Sequence, residues 1–177
     1  MKRKVLYIVL FMTLFIAFFY YRYDKVNKDV PSKFAIEYSS IGDIVELDSL
    51  QLKVTSTKVE EVSKDQYSSK RPRINFIVEA DITNISNDTV VAASIIESSI
   101  GIGYNKTQTR DGEIDFDTLK NLKPNKTTHV KLIYPIDKDV YEKGRGSIYL
   151  YLPSKLYDKQ VLDQFKIGKR YGKAFKL

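Results

Sequence analysis

Four carboxylates stand at alternate positions in one short stretch, Asp111, Glu113, Asp115 and Asp117. On an extended backbone successive side chains point to opposite faces, so these four would share one side while Ile114 and Phe116 take the other. Clustered carboxylate oxygens suit a hard cation such as Ca²⁺, and a pair of them suits glycoside hydrolysis. The spacing is not that of an EF-hand, and the string reads better as a solvated loop face than as a metal site. The remaining chemical inventory is thin. The chain has no cysteine and one histidine, which removes thiol nucleophiles, thiolate metal sites and histidine-rich zinc clusters. His129 is expected exposed on the polar side of a strand, opposite Val130 and Leu132. No G-x-S-x-G elbow, S-x-x-K or P-loop occurs, and Gly144-Arg145-Gly146-Ser147 leads into a strand where a phosphate cradle would lead into a helix. These residues describe a non-catalytic protein without a cofactor, the alternative being a cell-wall-acting enzyme that uses the acids of 111–117.

The first element that could place such a protein is its N-terminal segment. Lys2, Arg3 and Lys4 precede an apolar run from Val5 to Tyr21 broken only by Thr13, with Tyr20, Tyr21 and Tyr23 at its far end. As a helix, the run reaches about 26 Å, enough for a thin hydrocarbon core, with the tyrosines at the aqueous boundary. Val5, Leu6, Ile8, Leu10, Phe11, Leu14, Phe15, Phe18 and Phe19 are the expected lipid-facing anchor. A cleaved signal would need small residues at its end, whereas Ala17 is followed by Phe18, Phe19, Tyr20 and Tyr21. A lipobox is excluded by the missing cysteine. The expected organisation is a cytoplasmic N-terminus (1–4), a transmembrane anchor (5–23), a linker (24–38), a β-sandwich (39–153) and a basic C-terminal segment (154–177). The chain would then be a single-pass protein of the cell membrane with its C-terminal domain extracellular.

The net charge of +7 resembles a nucleic-acid signal until it is divided along the chain. Residues 1–23 hold four cations and no acid, and 155–177 hold seven cations and two acids, so the segment between carries 18 cations against 20 acids. A nearly neutral central domain argues against a nucleic-acid-binding face, and no nucleic-acid partner is expected. The N-x-[ST] triplets at Asn84, Asn87, Asn105 and Asn125 are expected to serve as turns.

From Ile41 onward apolar residues alternate with polar ones, the signature of half-buried strands. Short strands are expected around Ile44–Leu47 and Leu50–Val54, and the clearest one places Ile74, Phe76, Val78, Ala80 and Ile82 on one face. It stops at a turn of Asn84 to Asp88. Further β segments are expected over Thr89–Ala93 and Ile95–Tyr104, then at Val130, Leu132 and Tyr134, and finally at Ile148, Leu150 and Leu152 with Tyr149 and Tyr151 outside. Ser63–Pro72 reads as a polar loop. Seven or eight strands without intervening helices predict an all-β, immunoglobulin-like antiparallel sandwich.

Ile41-Gly42-Asp43-x-Val45, Leu50-x-Leu52-x-Val54, Phe76-x-Val78-x-Ala80-x-Ile82-x-Asn84 and Leu122-x-Pro124-x-x-Thr127, in that order, resemble a class of Gram-positive domains of unknown function. That class belongs with the immunoprotective extracellular, immunoglobulin-like superfamily, and the resemblance covers residues 41–152. It implies fold and location; no catalytic residues are defined for the class, and none are carried over.

The tail allows two arrangements. Leu156, Tyr157, Val161, Leu162 and Phe165 would share a helix face packed on the sandwich, or an added strand would form. Otherwise Lys166, Lys169, Arg170, Tyr171, Lys173 and Phe175 would make a free basic, aromatic arm for anionic headgroups or wall polymer. The expected partners are the lipid bilayer through the N-terminal helix and a membrane protein or anionic cell-wall polymer. The expected function is a non-catalytic extracellular interaction module, the alternative to it being an accessory or immunity subunit of a membrane complex.

Overall fold

The structure, a computed structural model, describes residues 2–62, 72–109 and 111–177. It opens with α1 (Lys2–Asn27), whose apolar side chains are exposed and pack on no other element among the described residues. The nine expected anchor residues are all exposed, and the segment Lys4–Asn27 is long and apolar enough to cross a membrane. Thr13, the one polar residue inside the run, bonds its hydroxyl back to the Val9 carbonyl at 3.0 Å, so it brings no unsatisfied group. The helix runs four residues past Tyr23, into what the sequence reads as linker.

Along the chain then follow β1 (Lys33–Ser40), β2 (Ile44–Leu47), β3 (Leu50–Glu61), β4 (Arg73–Asn84), β5 (Ser99–Ile102), β6 (Asn105–Gln108), β7 (Asp111–Glu113), α2 (Phe116–Lys120), β8 (Thr127–Asp137), α3 (Lys138–Gly144), β9 (Ile148–Tyr151), α4 (Asp158–Lys166) and β10 (Lys169–Lys176). Two five-stranded sheets form a β-sandwich, one in the order β1-β10-β9-β5-β6 and the other β2-β3-β4-β8-β7. The pairs are antiparallel except β1 with β10, which run parallel.

Alternation builds the core as expected. Ile74, Phe76, Val78, Ala80 and Ile82 of β4 and Val130, Leu132 and Tyr134 of β8 face Ile100, Ile148, Leu150 and Phe175 of the other sheet, all buried. Each large apolar side chain so buried contributes about 1.5–3 kcal/mol before entropy is counted. The Tyr134 hydroxyl meets Ser98 Oγ at 2.6 Å across this interior, and burial raises its pKa, so it stays a neutral hydrogen-bonding group.

Several expectations are corrected. Residues 33–40 are an eight-residue strand and not linker, because β10, from the far end of the chain, supplies the partner. Thr89–Ala93 gives only a single bridge, Val90 to Leu122, and Ala93–Glu97 coils into a 3₁₀ helix before β5. Helices α2 and α3 interrupt what reads as uninterrupted strands and turns. β9 is not the last strand. Counting these changes, the described residues hold ten strands where seven or eight are expected. Most of the expected loop at Ser63–Pro72 lies outside the described residues.

The transition between sheets occurs at Ile41-Gly42-Asp43. Gly42 adopts φ +93°, a left-handed conformation that favours glycine. Its N–H donates to the Val54 carbonyl at 2.9 Å, while Asp43 Oδ2 accepts from the Ser40 N–H at 2.7 Å. This tight turn carries the chain from β1 in one sheet to β2 in the other.

Candidate functional site

Glu113, Asp115 and Asp117 do not converge. Glu113 sits on β7 and takes Lys131 Nζ at 2.6 Å across the strand pair. Asp115 caps α2, accepting from the Thr118 N–H at 3.0 Å and from the Thr118 hydroxyl at 2.6 Å, which lowers its pKa. Asp117 is then helical, in the first turn of α2. A helix starting at Phe116 ends the alternation that would have lined the acids up. Among the described residues no three histidine, aspartate or glutamate side chains gather as a metal would need. His129 is exposed and bonds Asp81 at 2.8 Å on the outer face of its sheet, and its neighbours on β8 and β4, Thr127 and Thr83, bond each other at 2.8 Å. This part of the face is polar, and its side chains pair with one another.

The free basic arm is likewise corrected. Phe175 is fully buried in the core, and Lys173, only 6 % exposed, reaches Glu37 Oε2 at 3.1 Å. Tyr171 donates its hydroxyl to the same carboxylate, and the Tyr157 hydroxyl accepts from the Lys173 N–H at 3.0 Å. Lys166, Lys169 and Arg170 stay at or near the surface. The Tyr171 hydrogen bond, with Lys173 beside it, holds the Glu37 carboxyl below its ordinary value of 4.5 against partial desolvation. A depressed carboxylate stabilises the fold above its unfolded pKa, and that contribution disappears as pH falls through the folded value. Replacing Glu37 by Gln is therefore expected to lower the urea midpoint near neutral pH and to make no difference at pH values well below 4.5. A gap that persists in acid would refute this.

What remains available is the outer face of the β1-β10-β9-β5-β6 sheet. Alternation turns Phe34, Ile36 and Tyr38 of β1 outward, because Glu37 between them points in. Register then sets Ala174 between Tyr38 and Tyr151, and Tyr149 between Lys176 and Gly101. The Tyr38 and Tyr149 rings lie 5.3 Å apart, and those of Tyr149 and Tyr151 lie 6.3 Å apart, a tilted aromatic row. Gly101 makes the close packing possible: a Cβ there would come within 2.6 Å of the Tyr151 ring. Lys106 Nζ stands 5.7 Å from the centre of that ring. Burial, with Tyr38 and Tyr149 adding to it, raises the Tyr151 pKa, so this hydroxyl stays neutral and can donate. Its outward positions carry Lys106, Arg170 and Lys176 and no carboxylate, unlike the other sheet.

Sequence reasoning placed Tyr149 and Tyr151 outside but missed Phe34, Ile36 and Tyr38. Their alternation with Ala35, Glu37 and Ser39 was the available signal. The other candidate is a cavity of about 180 Å³ at the open edge between the sheets, lined by Ile100, Ile102, Lys106, Pro135 and Val140 among others. It is smaller than the roughly 300–1,000 Å³ of small-molecule sites, which leaves the open tyrosine face as the better candidate.

An apolar helix joined to a ten-stranded β-sandwich, with an aromatic row on the outer face of one sheet, defines the class: an all-β domain preceded by a helix long and apolar enough to cross a membrane. Residues 39–149 match the family described as Domain of unknown function (DUF4352), and the chain belongs to that family. Among solved structures, an uncharacterized β-sandwich protein from Clostridium difficile is similar over 82% of this chain and 97% of its own, at 15% identity and a TM-score of 0.53. A functionally unknown protein from Listeria monocytogenes is similar over 68% of this chain and 75% of its own, at 18% identity and a TM-score of 0.51. At these identities the likeness concerns the fold alone. No curated protein matches the chain.

Proposed function

We propose that the chain is a single-pass membrane protein whose immunoglobulin-like sandwich stands outside the cell as a non-catalytic binding module for an anionic surface polymer. The observation that carries the proposal is the row of Tyr38, Tyr149 and Tyr151 flanked by Lys106 and Lys176, an aromatic, cationic surface with no acid on it. Planar rings stack on sugar rings, and cations pair with phosphate or carboxylate groups along a polymer. The exposed apolar run of residues 5–21 supports the anchor, since nothing else among the described residues covers it.

The test uses the full chain in nanodiscs, with phosphate-bearing Gram-positive wall polymer and neutral dextran as probes. Replacing Tyr38 and Tyr149 together by Ala is expected to weaken polymer binding about tenfold, the loss of two modest aromatic contacts. Added salt should weaken it further. Equal binding to dextran, or binding unchanged in the double variant, refutes the proposed ligand. Protease added to whole cells should remove a C-terminal tag; a protected tag refutes the topology.

A further inference from the structure

We infer that the sandwich is seated on the bilayer surface by the end from which α1 departs, in one fixed orientation. The inference rests on the proposed anchor and adds a second membrane contact made by the folded domain. Only five residues separate α1 from β1, a tether of at most about 18 Å. It is shorter than that in practice, because the Val30 N–H turns back to the Asn27 carbonyl at 3.0 Å.

The parallel pairing then brings a distant segment to the same place. Register opens with Lys33 beside Lys169 and Phe34 beside Arg170, so the start of β10, and with it the end of α4, stands where α1 leaves. A cleft of about 560 Å³ separates residues 28–32 from Phe165, Lys166 and Gly168. Gly168 at φ +78° ends α4 in a left-handed turn, its N–H donating to the Phe165 carbonyl at 2.9 Å. That turn leaves Ile167 62% exposed, at the same end as Phe165 at 48% and Phe34 at 72%. Three large apolar side chains at one end, unpartnered within the chain, are what a membrane interface receives.

Charge selects the kind of surface. Lys33, Lys169 and Arg170 stand at the same end, and Arg170 lies 5.1 Å from the centre of the Phe34 ring. Against them stand Asp29 and Asp163, the latter already paired with Lys166 at 2.8 Å. Cations at the same end as apolar tips complement anionic headgroups, and the bilayer holding α1 is within the tether's reach. Seated so, β1, β10 and β5 rise away from the lipid. The tyrosine row then lies on the far half of a lateral face and the Gly103-Tyr104 turn at the distal tip.

The absence of cysteine allows single labels at will. In the full chain reconstituted into phosphatidylglycerol vesicles, an environment-sensitive fluorophore on Ile167→Cys should shift to the blue and be quenched by headgroup-spin-labelled lipid severalfold more than one on Tyr104→Cys. Adding Lys169→Glu and Arg170→Glu should return the Ile167→Cys signal toward that of Tyr104→Cys. A label at 167 as accessible to water as the one at 104, while a label on Leu10→Cys reports hydrocarbon, overturns the seating and leaves the anchor standing. A Leu10→Cys label in water overturns both.

Discussion

Replacing Phe175 by Ala is expected to destabilise the sandwich by about 3–5 kcal/mol, and ending the chain at Gly168 is expected to leave the domain unfolded. β10 is an interior strand of its sheet. It pairs with β1 over eight positions, Lys33 with Lys169 through Ser40 with Lys176, and with β9 at Ala174, Phe175 and Lys176. Removing it strips β1 of its partner and opens the edge of β9. It also takes away Phe175, which is fully buried against both sheets, and two further bonds: the Leu152 N–H to the Lys173 carbonyl at 3.0 Å and the Leu177 N–H to the Ile148 carbonyl at 2.9 Å. Since a domain's net stability is roughly 5–15 kcal/mol, this combined loss exceeds what the fold holds in reserve. Urea unfolding of the full chain in detergent, followed by circular dichroism, checks the point variant, and the truncated chain should show no cooperative transition. A truncated chain with the parent midpoint would mean that the tail is a free arm after all.

Asn84→Ala should cost about 3 kcal/mol, an unusual sum for a polar side chain in a turn, because a fully enclosed amide that makes four hydrogen bonds is lost and the buried Leu122 carbonyl keeps only the Val90 N–H. The Asn84 side chain has no exposed surface. Its Nδ2 donates to the Leu122 carbonyl at 2.8 Å and to the Asp88 carbonyl at 2.7 Å, while its Oδ1 accepts from the Ser86 N–H and hydroxyl at 2.9 and 2.8 Å. Backbone bonds continue the clamp, Asn84 N–H to the Lys126 carbonyl and Asn125 N–H to the Asn84 carbonyl, both at 3.0 Å. One amide therefore ties the end of β4 to the Leu122-x-Pro124 turn that feeds β8. Asp at this position keeps the acceptor oxygens but turns charge toward two carbonyls, so Asn84→Asp should fare no better than Ala near neutral pH. A loss below 1 kcal/mol for the Ala variant in the same urea assay would show that water replaces the amide freely. The same bonds explain why the N-x-[ST] triplet at Asn84 acts as turn chemistry: its nitrogen is enclosed and already in use.

Much of this was legible in the chain. The strand ending in Asn84 and the turn beginning at Leu122 are both visible as motifs, and their alternation named the correct inward residues of β4, β8 and β9. What no window contained was that the two motifs touch, through an amide that reads as one more polar turn residue. The acids of 111–117 show the opposite failure. Their period of two was real, but Asp115 found a better use for its oxygens at the first free N–H groups of α2, and a helix then replaced the strand. Helix α4 was anticipated as one of two alternatives for the tail, and the structure takes both in succession, helix and then strand.

The sequence by itself determined the apolar helix, the β-sandwich and the absence of thiol or histidine-cluster chemistry, because each depends on composition or on a period spanning a few residues. Tertiary structure alone decided that residues 33–40 are a strand, that Lys173 and Phe175 are interior, and that a tyrosine row crosses three strands. The physical reason is separation along the chain. β1 and β10 lie at opposite ends of the domain, and a strand's unpaired N–H and C=O groups find partners only where the closed fold brings another strand alongside.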